Sequence, residues 1–113
     1  MFLTRLLLAV TLLLTLSSPA LGQLATDIRC LVLSDAFATR SNNEAIKGAT
    51  QPVAFFYAGK IDGRWADAQL LAEITKQKKL VSSKNAGAEM QACASRMQVS
   101  LRRLGTSIAK TKR

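Results

Sequence analysis

The sequence predicts an all-α fold, a small four-helix bundle closed by one disulfide and preceded by a cleaved signal peptide. First, the long segments after residue 22 are rich in alanine, leucine, lysine and glutamine, which favour helix, while β-branched residues are scattered. Second, the N-terminal stretch has the layout of an export signal. Third, the chain holds two cysteines, so one intramolecular pairing is available.

Residues 1–22 are predicted to be the signal peptide. Arg5 supplies the positive charge, residues 6–16 are apolar, and Ala20 and Gly22 place small residues at the −3 and −1 positions of a cleavage site. The apolar run is too short for a membrane anchor, since a spanning helix needs about 20 residues. We therefore expect residues 23–113 to form one helical domain, periplasmic or secreted, with no transmembrane anchor in its mature form.

Export would place Cys30 and Cys93 in an oxidising compartment, where a disulfide between them is expected. The closed loop covers most of the domain, and the chain-entropy model assigns such a loop about 4 kcal/mol of stabilisation. Two buried reduced thiols, or a bridge between two chains, are the alternatives.

A first helix is predicted from residue 26 or 27 to about residue 39, with Cys30, Leu33 and Phe37 on its buried face. Asn43 is a candidate N-cap for the second helix. That helix should run to Asp62 and end at Gly63, because glycine suits the left-handed position after a helix.

Pro52 lies inside the second predicted helix, so we expect either a kink or a new start capped by Thr50. A strand over residues 52–58 has no nearby pairing partner. One stripe of the helix contains Val53, Phe56, Lys60 and Ile61, whereas Phe55 and Tyr57 point away from it. The segment is therefore either the central helix of the bundle or one that leaves an aromatic side chain exposed.

The third helix is predicted from about Trp65 to Lys79, and its inner face is expected to carry Ala66, Leu70, Leu71 and Ile74. Residues 82–85 form a turn before the last helix. The last helix has a continuous apolar seam of Met90, Ala94, Met97, Leu101, Leu104 and Ile108. Arg96, Arg103 and Lys110 lie on the opposite side and Arg102 on a flank, so the helix either packs with a solvated back or offers a cationic surface.

The positive charge is concentrated in the C-terminal part of the chain. Residues 23–75 carry five cations and six carboxylates, whereas residues 76–113 carry ten cations and one carboxylate, Glu89. Such a charge favours anionic partners such as lipid headgroups, lipopolysaccharide phosphates or an acidic protein, although it can also simply keep a small domain in solution. The chain has no recognisable module for reading nucleic acid, and we expect none to be bound.

The absence of histidine excludes several kinds of active site. Without it there is no Ser-His-Asp or Cys-His nucleophile and no imidazole metal ligand. Two disulfide-bonded cysteines leave too few ligands for zinc. Asp62 and Asp67 are the only local pair of carboxylates for glycoside hydrolysis, and helix ends explain them adequately. We therefore expect no enzyme activity, no cofactor and no metal.

Three short stretches carry a family resemblance: Asp-Ile-Arg-Cys-Leu at 27–31, Phe-Phe-Tyr-Ala-Gly at 55–59 and Met-Gln-Ala-Cys-Ala at 90–94. With the export signal, their order resembles that of the small periplasmic acid-stress chaperones of bacteria, the HdeA-like proteins, and of other small exported bacterial proteins. The resemblance implies a helical fold clasped by one disulfide, which dimerises or binds clients through an apolar face that acid exposes. This chain departs from that pattern because it is strongly basic and its cysteines are more widely spaced.

The leading hypothesis is a non-enzymatic binding or chaperone-like protein of the cell envelope. The alternative is a cationic envelope-surface protein that binds anionic lipid or lipopolysaccharide. The predicted contact residues are the aromatic side chains Phe55, Phe56, Tyr57 and Trp65 and the cations Arg96, Arg102, Arg103 and Lys110.

Overall fold

The computed structural model describes residues 22–111 and contains four α-helices and no strand within that range. Helix α1 covers residues 22–40, α2 Glu44–Ile61, α3 Asp67–Leu80 and α4 Ala86–Thr111. The predicted all-helical fold is confirmed. The predicted signal peptide lies outside the described residues except for Gly22, which already belongs to α1, so this helix begins at least four residues before the predicted start.

The ends of α2 follow from local chemistry. The side-chain oxygen of Asn43 accepts hydrogen bonds from the backbone N–H of Ala45 at 2.9 Å and of Ile46 at 3.3 Å, which confirms the predicted N-cap. Gly63 follows the helix with a φ of 74°, the left-handed conformation that glycine adopts without a Cβ clash.

Pro52 does not interrupt α2, which is helical throughout. Of the two alternatives, a kink or a new start capped by Thr50, the new start is therefore wrong. Instead the Thr50 hydroxyl donates to the carbonyl of Ile46 at 2.8 Å, so its side chain bonds back to the preceding turn rather than capping a new helix.

Two apolar clusters hold the helices together, and α1 contributes to both. The first joins α1, α2 and α4 and consists of Cys30, Leu33, Val53, Tyr57, Met90 and Cys93. The second consists of Leu24, Ile28 and Ile61, with Leu70 and Ile74 of α3 packed against it. An ion pair between Lys60 and Asp27, at 3.1 Å, adds a polar link between α2 and α1.

The predicted disulfide is present. Cys30 and Cys93 are bonded, their Cα atoms are 5.5 Å apart, and both side chains lie in the first cluster. The bridge therefore fastens α1 to α4 inside the core, and Leu33 beside it is buried as the spacing predicts.

The structure corrects two predicted inner-face positions and buries one residue that lies outside the predicted stripe of α2. Tyr57 lies outside the predicted stripe of α2, yet it is 1% exposed and shares the buried face of this helix with Val53 and Ile61. Leu71 of α3 and Ala66 just before it are predicted to face inward, but both are exposed. The inner face of this helix instead follows Leu70, Ile74 and the buried Gln77.

Candidate binding surface on the last helix

Helix α4 divides into a packed half and an exposed half. Met90 and Cys93 are buried and Ala94 and Met97 pack against the first cluster, whereas every residue from 101 to 111 is exposed. The exposed part is about 16 Å long at 1.5 Å per residue. The predicted seam thus serves as core over its first half only.

The second half of the seam carries three large aliphatic side chains: Leu101 is 50%, Leu104 52% and Ile108 62% exposed. We call these three residues the exposed seam. On a helix of 3.6 residues per turn they lie within about 60° of one another. They therefore form one narrow apolar stripe open to solvent.

Cations occupy the side of the helix away from the exposed seam, and no carboxylate accompanies them. Arg102 lies about 120° around the helix from Ile108, Arg103 about 140° and Lys110 about 160°. All three are exposed, and none makes a side-chain ion pair with another described residue. The sequence from 90 to 113 has six cations and no acidic residue, so the local field is positive throughout.

Arg96, the fourth predicted contact cation, is placed differently. Its guanidinium lies 2.9 Å from the Sγ of Cys30 and 3.5 Å from the Sγ of Cys93, both within hydrogen-bonding distance of sulfur. It therefore covers the disulfide from the solvent side, and only the other three cations accompany the exposed seam.

The four predicted aromatic contact residues do not form one surface patch. Phe55 is 68% exposed, whereas Tyr57 is in the core and Phe56 packs against the first cluster. Trp65 packs against the second cluster. The exposed aromatic of α2 is therefore Phe55 by itself, as one of the two alternatives for this helix predicts.

A polar contact links α1 to α4, whereas the candidate carboxylates Asp62 and Asp67 lie on the surface. Arg29 makes a two-pronged ion pair with Glu89, its Nε 3.0 Å and its Nη2 2.6 Å from the two carboxylate oxygens. Asp62 and Asp67 are both exposed, one after α2 and one at the start of α3. Among residues 22–111, no three acidic, cysteine or histidine side chains gather as metal ligands would.

The apolar seam in the sequence indicates the stripe on α4, but its spacing does not show which part of the stripe the other helices cover.

None of the helices in the described range has the length and apolar content to cross a bilayer. Compared with protein-family models, curated proteins and solved structures, the chain matches none of them.

Proposed function

We propose that this is a non-enzymatic binding protein of the cell envelope that attaches to anionic lipid surfaces, phospholipid or lipopolysaccharide, through the second half of α4. One observation carries the proposal: from residue 101 to 111 the helix is exposed on all sides and combines the exposed seam with Arg102, Arg103 and Lys110. A helix with a basic polar face and an aliphatic stripe lies in the interface of an anionic membrane.

The cationic and the aliphatic side chains contribute to membrane binding through different interactions. Each cation near an anionic surface contributes about 1 kcal/mol, and this attraction is screened by salt. A Leu or Ile side chain contributes roughly 1.5–3 kcal/mol on full burial, and this term is nearly insensitive to moderate salt. Binding therefore needs both terms, and they are separable by experiment.

The test is co-sedimentation of the purified protein with vesicles of phosphatidylglycerol, compared with vesicles of phosphatidylcholine. We expect binding to the anionic vesicles alone, strong at about 0.01 M salt and lost at about 1 M, where the Debye length falls from ~30 Å to ~3 Å. Binding to both vesicles alike, or binding unaffected by salt, would contradict the proposal.

The chain offers a closely matched control for the apolar term. Val99 is 61% exposed and Ile108 62%, yet they lie on opposite sides of α4. We expect Ile108→Ser to weaken vesicle binding several-fold, while Val99→Ser leaves it unchanged. Equal effects of the two substitutions would show that the exposed seam is not the contact.

Client binding, the chaperone-like alternative, is a second candidate that the exposed seam also supports, because exposed apolar stripes mark interaction sites. It predicts that the protein suppresses aggregation of an unfolded client at neutral or acid pH, and that Ile108→Ser reduces the effect. If no ratio of protein to client gives suppression, this candidate is rejected, and the vesicle result stands by itself.

A further inference from the structure

We propose that a groove between α1 and α3 binds a single-chain amphiphile with an anionic head, a long-chain fatty acid. This site shares no residue with the surface on α4, so it stands or falls separately from membrane attachment.

The groove begins as a cavity of ≈590 Å³ between the two helices. Its apolar walls are Leu31, Val32 and Ala36 of α1 and Ile74 of α3, with Val81 just after α3. Small-molecule sites occupy roughly 300–1,000 Å³ and are lined mainly by apolar side chains with a few polar groups. The cavity therefore has the size and lining of a ligand site.

A second cavity of ≈380 Å³ continues the groove along α1 and shares Leu31 and Ile74 with the first. It extends to Ile28 on α1 and to Leu70 on α3. From Ile28 to Arg40 the groove follows α1 for about 18 Å at 1.5 Å per residue. A site that is elongated, open to solvent along its length and mainly apolar fits an extended hydrocarbon chain better than a compact ring.

The charges of the groove are unequal at its two ends. Arg40 and Lys78 line the first cavity and make no ion pair with another described residue. Asp62 lies at the opposite end, in the second cavity. An anionic head is therefore attracted to the Arg40 end and repelled from the Asp62 end, which orients the chain.

The remaining charge in the groove is Asp35, which lines the first cavity near the two cations and opposes an anion there. A third cavity adjoins Arg40 and has Ser41 and Ser83 on its rim, so hydroxyl groups also gather at this end. The net charge around the head position is still positive, because two cations face one carboxylate.

The test is isothermal titration of the oxidised protein with sodium myristate below its micelle concentration, and with tetradecanol as the uncharged ligand of equal chain length. We expect about one myristate per protein and markedly weaker binding of tetradecanol. Replacing both cations, Arg40→Gln with Lys78→Gln, should weaken myristate binding roughly tenfold or more, since hydrogen bonds to charged groups contribute about 1.5–3 kcal/mol. The substitution Asp35→Asn should strengthen it.

Three further variants make the result decisive. Arg64→Gln with Lys76→Gln removes two exposed cations outside the groove and should leave the affinity unchanged. Ala36→Phe fills the groove and should abolish binding while circular dichroism shows the same helix content. Ile108→Ser should weaken vesicle binding only.

Tetradecanol binding as tightly as myristate, many myristates per protein, or equal losses in the groove and control variants would each overturn the proposal. Vesicle binding is measured separately from myristate binding. If the protein does not bind vesicles, the myristate result still stands. If it does not bind myristate, the vesicle result still stands.

Discussion

Tyr57 connects α2 to the helix that carries the second cysteine. Its ring is buried and stands edge-on to Phe56, with ring centres 5.0 Å apart, and its hydroxyl donates to the carbonyl of Cys93 at 2.7 Å. A buried hydroxyl needs a partner, and this carbonyl supplies it. The same side chain thus fills the core and fixes how α2 sits against α4.

We expect Tyr57→Phe to lower the free energy of unfolding by about 1 kcal/mol, the usual net contribution of one buried hydrogen bond. Urea denaturation measures it. Phe55→Leu, on the exposed side of the same helix, is the control and should change stability by less than about 0.5 kcal/mol. A loss in the control as large as in Tyr57→Phe would argue against the role of the hydroxyl.

The burial of Tyr57 illustrates what periodicity cannot decide. Phe55, Phe56 and Tyr57 are adjacent, so a stripe through Phe56 and one through Tyr57 are equally good on a helical wheel. The choice between them depends on where α4 lies, and only Tyr57 has a hydroxyl that can reach a carbonyl there. That information is tertiary and is absent from the spacing.

Arg29, in the middle of α1, links the ends of two other helices. Besides its ion pair with Glu89 at the start of α4, it donates to Gln77 at 3.4 Å and to the carbonyl of Leu80 at 3.3 Å, both in the last turn of α3. A cation there also satisfies carbonyls that have no partner within the helix. The polar cluster thus holds the C-terminal end of α3, which lies beyond the apolar contacts of Leu70 and Ile74.

We expect Arg29→Gln to release the last turn of α3. The amides of residues 77–81 should exchange with solvent about tenfold faster, corresponding to a loss of ~1.4 kcal/mol, close to the lower end of the range for hydrogen bonds to a charged group. Hydrogen exchange followed by mass spectrometry measures this. Arg64→Gln, an exposed cation in the preceding turn, should leave these amides unchanged. Unchanged exchange in Arg29→Gln would show that apolar packing is sufficient.

Helix ends were more predictable than helix faces. Asn43 and Gly63 mark the two ends of α2. Each meets a local backbone requirement that its residue type indicates: Asn43 accepts from free N–H groups, and Gly63 adopts a positive φ. The seam of α4 is different, since its spacing continues unchanged from Met90 to Ile108. Spacing reports that a helix is amphipathic, but not how far its neighbours extend, so the exposed half could not be predicted.

The disulfide joins α1 to α4 across a sequence separation of 63 residues. The two apolar clusters lie on either side of α1. The second cluster has only three buried members, Leu24, Ile28 and Ile61. A core this modest gives a few kcal/mol at most. The disulfide is therefore a large share of the net stability of the molecule.

Replacing both cysteines, Cys30→Ala with Cys93→Ala, should lower the free energy of unfolding by about 4 kcal/mol, the chain-entropy value for a loop of this length. Urea denaturation of the oxidised protein and the double variant measures the difference. Wild-type protein refolded in reductant is the control that keeps the sulfur atoms but lacks the bond. Reduced protein as stable as oxidised protein would refute the entropic role of the bridge.

For the molecule as a whole, the fold class and the disulfide were predictable from the sequence. The composition favours helix, and two cysteines allow one internal pairing. The groove between α1 and α3 was not, because it depends on which faces of two separate helices meet. Arg40 and Lys78 are ordinary surface cations in the sequence. Only the fold brings them to the rim of one cavity.

The burial of the disulfide also determines when it can be made. Cys30 and Cys93 are 0% and 1% exposed, and the guanidinium of Arg96 covers them on the outer side. Thiol–disulfide exchange requires a thiolate to reach one of the two sulfur atoms, and both cysteines are buried in the folded molecule. We therefore expect the disulfide to exchange with added thiols only when the chain around Cys30 and Cys93 opens.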